Sequence, residues 1–199
     1  MTMKPEHYSS HSIDIRSNPM TRRKVLLTTA LGLIAAITTS WAGYWKAFAA
    51  DESNKEQAEL AKALSSAKVS LQQGFAASER EGQPISGKFE MEDGKLQLSV
   101  YTAKEEKFFE VIVDHVTGDI AKVEPITEGE DLVHAKSQKA AMDRSKVKLA
   151  NAAEKAKGRA SDTLVVSAVP EVKGGRPEAS IVLLTERGKR FSTVSERLD

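Results

Sequence analysis

Apolar residues in the body of the chain follow two spacings, and the change from one to the other separates helices from strands. From 52 to 80 the spacing is helical. Leu60, Leu64, Ala67, Leu71 and Phe75 recur three or four residues apart on one face, while Glu56, Lys62, Lys68 and Glu79 lie elsewhere around the wheel. Gly82 and Pro84 end that helix. The period then drops to two. Residues 88–92 and 95–102 flank Asp93-Gly94, with Leu96, Leu98 and Val100 alternating against Gln97 and Ser99, the pattern of a tight hairpin. A looser turn at 103–106 leads to a third strand over 107–114, in which Phe109, Val111 and Val113 point to one face. Asp114 stops this strand by accepting backbone amides just beyond it, and Gly118 permits the positive φ of a tight turn. Ile120 and Val123 resume an extended segment. Three antiparallel strands with one apolar face need a cover, and the preceding helix supplies it.

The same plan is legible a second time. A charged helical stretch opens at Thr127 or Glu128 and runs to Lys157, with a break near Ser145 and with Leu132, Ala135, Ala141, Val147, Leu149 and Ala152 as its apolar positions. Gly158 punctuates it. Strands follow at 164–169, 179–185 and 190–194, separated by Gly174-Gly175 and Arg187-Gly188-Lys189. Aligning Val69-Ser70-Leu71 with Val147-Lys148-Leu149 gives an offset of 78 residues. Duplication explains this order; so does convergence, because a helix followed by a meander is a common arrangement.

The first fifty residues bear on the compartment. Arg22 and Arg23 directly precede an apolar run that begins at Val25 and continues through Leu31, Leu33, Ile34 and Ile37 to Trp41. This resembles a twin-arginine export signal with Val25 in the place usually held by Phe. Ala47 and Ala49 supply small residues at alternate positions, so cleavage before Ala50 is expected. An uncleaved anchor is the competing reading, since residues 25–45 are 21 in number, carry no charge and are long enough to cross a bilayer. Ordinary unfolded export is a third.

Charge and composition narrow the class further. Removing residues 1–49 leaves about 150, enough for one domain or two very small ones. No cysteine is present, so the core must hold the fold without crosslinks. Residues 50–138 carry 10 Lys and Arg against 18 Asp and Glu, a net of −8, whereas residues 139–199 carry 13 against 8, a net of +5. The halves can attract each other, although most of these charges suit solvated faces. A nucleic-acid role is not expected, because the basic half lacks interleaved aromatics and the expected compartment is wrong for it.

Phe109, Val111, Val113, Asp114, Thr117, Gly118 and Ile120 reproduce an aromatic residue, alternating aliphatics, Asp, two variable residues, Thr-Gly, one variable residue and an aliphatic. Over residues 60 to 126 the chain resembles the PepSY family of small secreted domains, in which an amphipathic helix precedes a meander of antiparallel strands. The second copy departs from that pattern, because no Asp-x-x-Thr-Gly follows Phe191. The expected architecture is α+β: a signal or anchor helix over 1–49, a PepSY-like unit over 50–126 and a divergent second unit over 127–199. The resemblance implies a regulatory or inhibitory module.

Catalytic chemistry is sparse. His7 and His11 precede the leader, and His115 and His134 lie far apart without a cysteine, a poor basis for a zinc or nucleophile site. Asp114, His115 and Asp119 invite a weak cation, but turn capping already accounts for both carboxylates. Ser65-Ser66-Ala67-Lys68 has Ser-x-x-Lys spacing without its companion elements. Gly174-Gly175-Arg176 is too short to cradle phosphate. We therefore expect no catalytic residue, cofactor or metal. The expected interaction surface is the strand face opposite the helix, Gln97, Ser99 and Glu110 with Tyr101, Phe108 and Ile112 as its apolar members, unless the second unit covers it. Open strand edges are another route to a partner. The implied partner is an envelope protein, a peptidase or membrane enzyme, met in the periplasm or from an inner-membrane anchor.

Overall fold

The helical pattern of 52–80 is interrupted by its own hydroxyls. Ser65 and Ser66 donate back to the carbonyls of Lys62 and Ala63 at 2.6 and 2.7 Å, which closes the last turn of α1, Glu52–Leu64. Ser70 then opens α2, Leu71–Ser78: its hydroxyl accepts from the Gln73 amide at 3.2 Å, and the Gln73 side chain accepts from the Ser70 amide at 2.8 Å. Two helices thus replace the single one expected, and Ala67 lies in the connection. A 3-10 turn at Glu79–Glu81 finishes the segment.

The computed structural model describes residues 52–158, 162–185 and 190–199. The export motif at Arg22 and Arg23, the cleavage residues Ala47, Ala49 and Ala50, the 25–45 span and the turn at 187–189 lie outside them. Within the described residues the protein is α+β, with helices against one antiparallel sheet, and no helix there is long and apolar enough to cross a membrane. Four strands follow α2: β1 Gln83–Glu92, β2 Lys95–Lys104, β3 Lys107–Val113 and β4 Ile120–Ile126. Then come α3 Gly129–Met142, α4 Leu149–Lys157, β5 Leu164–Lys173, β6 Arg176–Thr185 and β7 Arg190–Arg197. Strands begin earlier or run longer than the alternation indicated, because backbone pairing continues past the last apolar residue. Pro84 belongs to β1 rather than to a helix stop, beside a bulge between Pro84 and Ser86. Ser145 breaks the second helical stretch as expected, its hydroxyl contacting the carbonyls of Val147 and Leu198 at 2.6 and 3.1 Å.

All seven strands share one sheet, in the order β4-β3-β2-β1-β5-β6-β7. The halves meet where Gly87 of β1 pairs with Ala168 of β5. The registers align one row across the whole sheet: Val123, Val111, Val100, Gly87, Ala168, Ile181 and Val194. Directly opposite residues point to one face, so this row is apolar from edge to edge and smallest at its centre. Helix α2 sits there, with a side chain at 87 destined to strike Phe75 and Leu71. Phe75, Leu71, Leu98, Val100, Val111, Ala168 and Ile181 form a continuous core, and burying a side chain of the size of Phe75 stabilises by about 1.5–3 kcal/mol. The adjacent row has the opposite character: Lys122, Ile112, Ser99, Lys88, Ser167, Val182 and Thr193.

The two halves use the same fastenings. The amides of Lys68 and Val69, between α1 and α2, donate to the His115 carbonyl beyond β3 at 2.9 and 3.0 Å. Those of Lys146 and Val147, between α3 and α4, donate to the Leu198 carbonyl beyond β7 at 2.6 and 3.2 Å. A bulge between Val165 and Ser167 in β5 matches the one between Pro84 and Ser86 in β1. Two polar contacts cross from α2 or its 3-10 extension to α4 or its N-cap: Gln72 donates to Glu154 at 2.9 Å, and Lys148, which precedes α4, pairs with Glu79 at 2.8 Å. Both are exposed, so the opposite net charges of the halves contribute little here.

Candidate partner surface

The strand exit at Asp114 is a closed set of hydrogen bonds. One oxygen of its carboxylate accepts from the amides of Val116 and Thr117 at 2.7 and 2.9 Å, and these bonds hold the carboxyl below the usual range. The Asp114 amide donates to the Asp119 carbonyl at 2.8 Å, and its carbonyl accepts from the Gly118 amide at 2.8 Å. Gly118 has φ 84°, which a side chain would strain. The Thr117 hydroxyl accepts from Asp119 at 3.3 Å. Val111 and Val113 are buried below, Phe109 and Ile120 half-buried. This turn presents the His115 carbonyl to the α1–α2 connection. The motif residues therefore join β3 to the helices, and among the described residues no three His, Asp or Glu side chains gather as metal ligands. Ser65 and Ser66 are taken up in ending α1, and Gly174-Gly175 forms a hairpin turn with φ of 56° and 80°.

The sheet face away from α2 carries a denser polar arrangement. Lys88 pairs with Glu90 at 2.7 Å and lies 5.9 Å from the centre of the Tyr101 ring. Gln97 donates to the Ser99 hydroxyl at 2.9 Å, which donates to Glu90 at 3.0 Å. Glu110 stands opposite Tyr101 in the register and is its hydrogen-bond partner. Burial pushes the Glu110 carboxyl up, opposed by its hydrogen bond to Ser99 and by the Lys88 ammonium. Burial likewise raises the Tyr101 phenol, reinforced by the carboxylates of Glu110, Glu90 and Asp131. Ser99 has one proton and two carboxylates within its reach, so it serves one at a time.

Helix α3 lies on this same face. The Ser86 hydroxyl donates to Gln138 at 2.7 Å, and Ser86 alternates with Gly87, whose open side faces α2. The expected apolar trio is consequently divided. Phe108 is only 3% exposed and belongs to the core, whereas Tyr101 and Ile112 are half-buried. The accessible part runs from Lys88, Glu90 and Gln97 across Ile112 to Lys122 and Glu124, themselves paired at 2.7 Å. Lys88, Glu90, Lys122 and Glu124 were absent from the surface expected from sequence. The two-residue turn at Asp93-Gly94 fixes Lys88 opposite Ser99 and Glu90 opposite Gln97, so that signal was present in the chain. Comparisons with protein-family models, with curated proteins and with solved structures find no match.

Proposed function

We propose that this chain is an exported, non-catalytic binding module of the PepSY kind, built of two tandem helix-plus-meander units over 50–126 and 127–199, that modulates a peptidase or another envelope enzyme. The reading is carried by the polar face of the sheet, where Lys88, Glu90, Gln97, Ile112, Lys122 and Glu124 form a cross-strand surface on rigid elements. Preorganised side chains on a sheet favour recognition, because little conformational entropy is lost on docking. The duplicated fastenings at His115 and Leu198, and the matched bulges, support the tandem arrangement. Incubating the protein with envelope peptidases and following hydrolysis tests the inhibitory function. Inhibition at micromolar protein that is lost in Ile112→Glu and in Lys88→Glu supports it; unchanged hydrolysis throughout refutes it.

The uncharged stretch 25–45 favours a second reading, an accessory subunit of an inner-membrane complex held by an uncleaved helix. Fractionation separates the two. A mature N-terminus at Ala50 in the soluble periplasm supports the free module, and the intact chain in the membrane fraction supports the anchored subunit.

A further inference from the structure

The two edges of the sheet differ in how they are guarded. The β4 edge carries three features that discourage strand addition: a register irregularity opposite Ile112 and Val113, the charged Lys122, and Pro125, which has no amide to offer. The β7 edge, Arg-Phe-Ser-Thr-Val-Ser-Glu-Arg, carries its charges only at its ends, Arg190, Glu196 and Arg197, and has no proline, glycine or register shift against β6. We propose that β7 pairs antiparallel with β7 of a second copy of this chain, about a two-fold axis through Thr193. The inference is independent of the inhibitory function, since it concerns an edge and a copy of the same chain.

Register selects this occupant. Side chains directly opposite each other share a face, so a two-fold axis perpendicular to the sheet must pass through a residue and not between residues. Centred on Thr193, Arg190 falls opposite Glu196 of the second copy at both ends, Phe191 opposite Ser195, Ser192 opposite Val194, and Thr193 opposite itself. Over 190–196 opposite charges meet twice and like charges never, whereas Arg197 falls opposite position 189, a lysine, just beyond each end of that stretch. Glu196 already lies beside Lys155 of α4 and would receive the second cation on the same helix-bearing face. The chain contains a precedent for the join, because β1 and β5 meet antiparallel through Gly87 and Ala168 at the centre of its own sheet.

The absence of cysteine from the sequence makes the test clean. Thr193→Cys in the full chain brings the two Cα atoms within about 4.5–5.5 Å across the axis, inside the range a disulfide spans. Ser195→Cys would leave about 13 Å between the two copies of that residue. Mild oxidation should crosslink the Thr193→Cys chain into a dimer efficiently, with little product from Ser195→Cys or from Val123→Cys on the guarded edge. Thr193→Lys should weaken association up to about fivefold. Arg190→Glu should weaken it too, and Arg190→Glu combined with Glu196→Arg should restore it. Unchanged melting of the variants separates lost pairing from lost folding. A mass that stays monomeric at every concentration, with no Thr193→Cys crosslink, overturns the proposal, as does equal crosslinking at Ser195 or Val123.

Discussion

Gly87 occupies a place in the sheet where a methyl group has nowhere to go. A Cβ built there would lie 2.6 Å from Cε1 and 3.1 Å from Cζ of Phe75, and 3.2 Å from Cδ1 of Leu71. Phe75 is buried at the α2–sheet contact, and a ring packed on all sides cannot swing away as a flexible chain end does. Overpacking of this kind costs about 1–3 kcal/mol. Gly87 does not have a positive φ, so alanine also gains about 0.4–1 kcal/mol by restricting the unfolded chain. The net expectation for Gly87→Ala is a loss of about 1–2 kcal/mol, or a melting temperature about 2–8 °C lower for a body of this size. Phe75→Leu removes the obstructing ring, at a cost of about 1–2 kcal/mol for the smaller side chain and the space it leaves. The double variant should then be more stable than the two separate losses imply, by about 1 kcal/mol. Denaturant unfolding of the four proteins measures this coupling. A Gly87→Ala protein as stable as the parent, or losses that simply add, would refute the claim that α2 presses directly on this strand.

Three further outcomes follow from the polar groups. Glu110→Gln should stabilise the fold at neutral pH: burial raises the carboxyl, so its contribution is complete below the unfolded value and is lost as pH rises through the folded one, and urea unfolding from pH 4 to 8 should show that dependence diminished in the variant. Asp114→Ala should act in the opposite sense. Its carboxyl is lowered by the Val116 and Thr117 amides, so the stability it supplies is present above its unfolded value and is lost as pH falls through the folded one; melting curves at pH 7 and pH 3 should differ less in the variant than in the parent. Ser70→Ala removes the capping box of α2 and should cost about 1 kcal/mol in chemical denaturation.

Local signals in the sequence were sufficient for the hairpins and insufficient for their junction. Asp93-Gly94 sets Gly87 opposite Val100, and the short turn after Lys104 sets Val100 opposite Val111, so three members of the central row can be counted off along the chain. The pairing of Gly87 with Ala168 has no such signal, because it joins residues 81 apart through a ladder of only two residue pairs. The break between α1 and α2 was legible in Ser70 and Gln73, but the helical spacing carried on through Ala67 and concealed it. Phe108 looked like a surface residue because alternation reports which side of a strand a residue takes, not whether a distant helix covers that side. Here α3 covers part of it. At the Asp-x-x-Thr-Gly turn, Asp114 as acceptor of the amides just beyond it and the positive φ of Gly118 were legible because they are local, whereas the bonds from Lys68 and Val69 to the His115 carbonyl, some 46 residues away along the chain, were not.

The proposed partner face and the proposed self-pairing edge lie at opposite ends of one polar row, and that makes them separable. Thr193 is the last member of the polar row that begins at Lys122, so pairing of β7 with its copy would run the row continuously through both molecules. A partner that reads Ile112 and Lys122 lies at the far side of the sheet, on β3 and β4. Thr193→Lys should therefore weaken self-association up to about fivefold while leaving inhibition by the monomer intact, and Ile112→Glu should remove inhibition while leaving self-association unchanged. Loss of both properties in Thr193→Lys, with melting unchanged, would mean that the partner is recognised only by the paired form. A partner strand that itself adds to β7 would give a different signature, with inhibition rising as the chain is diluted below its self-association range.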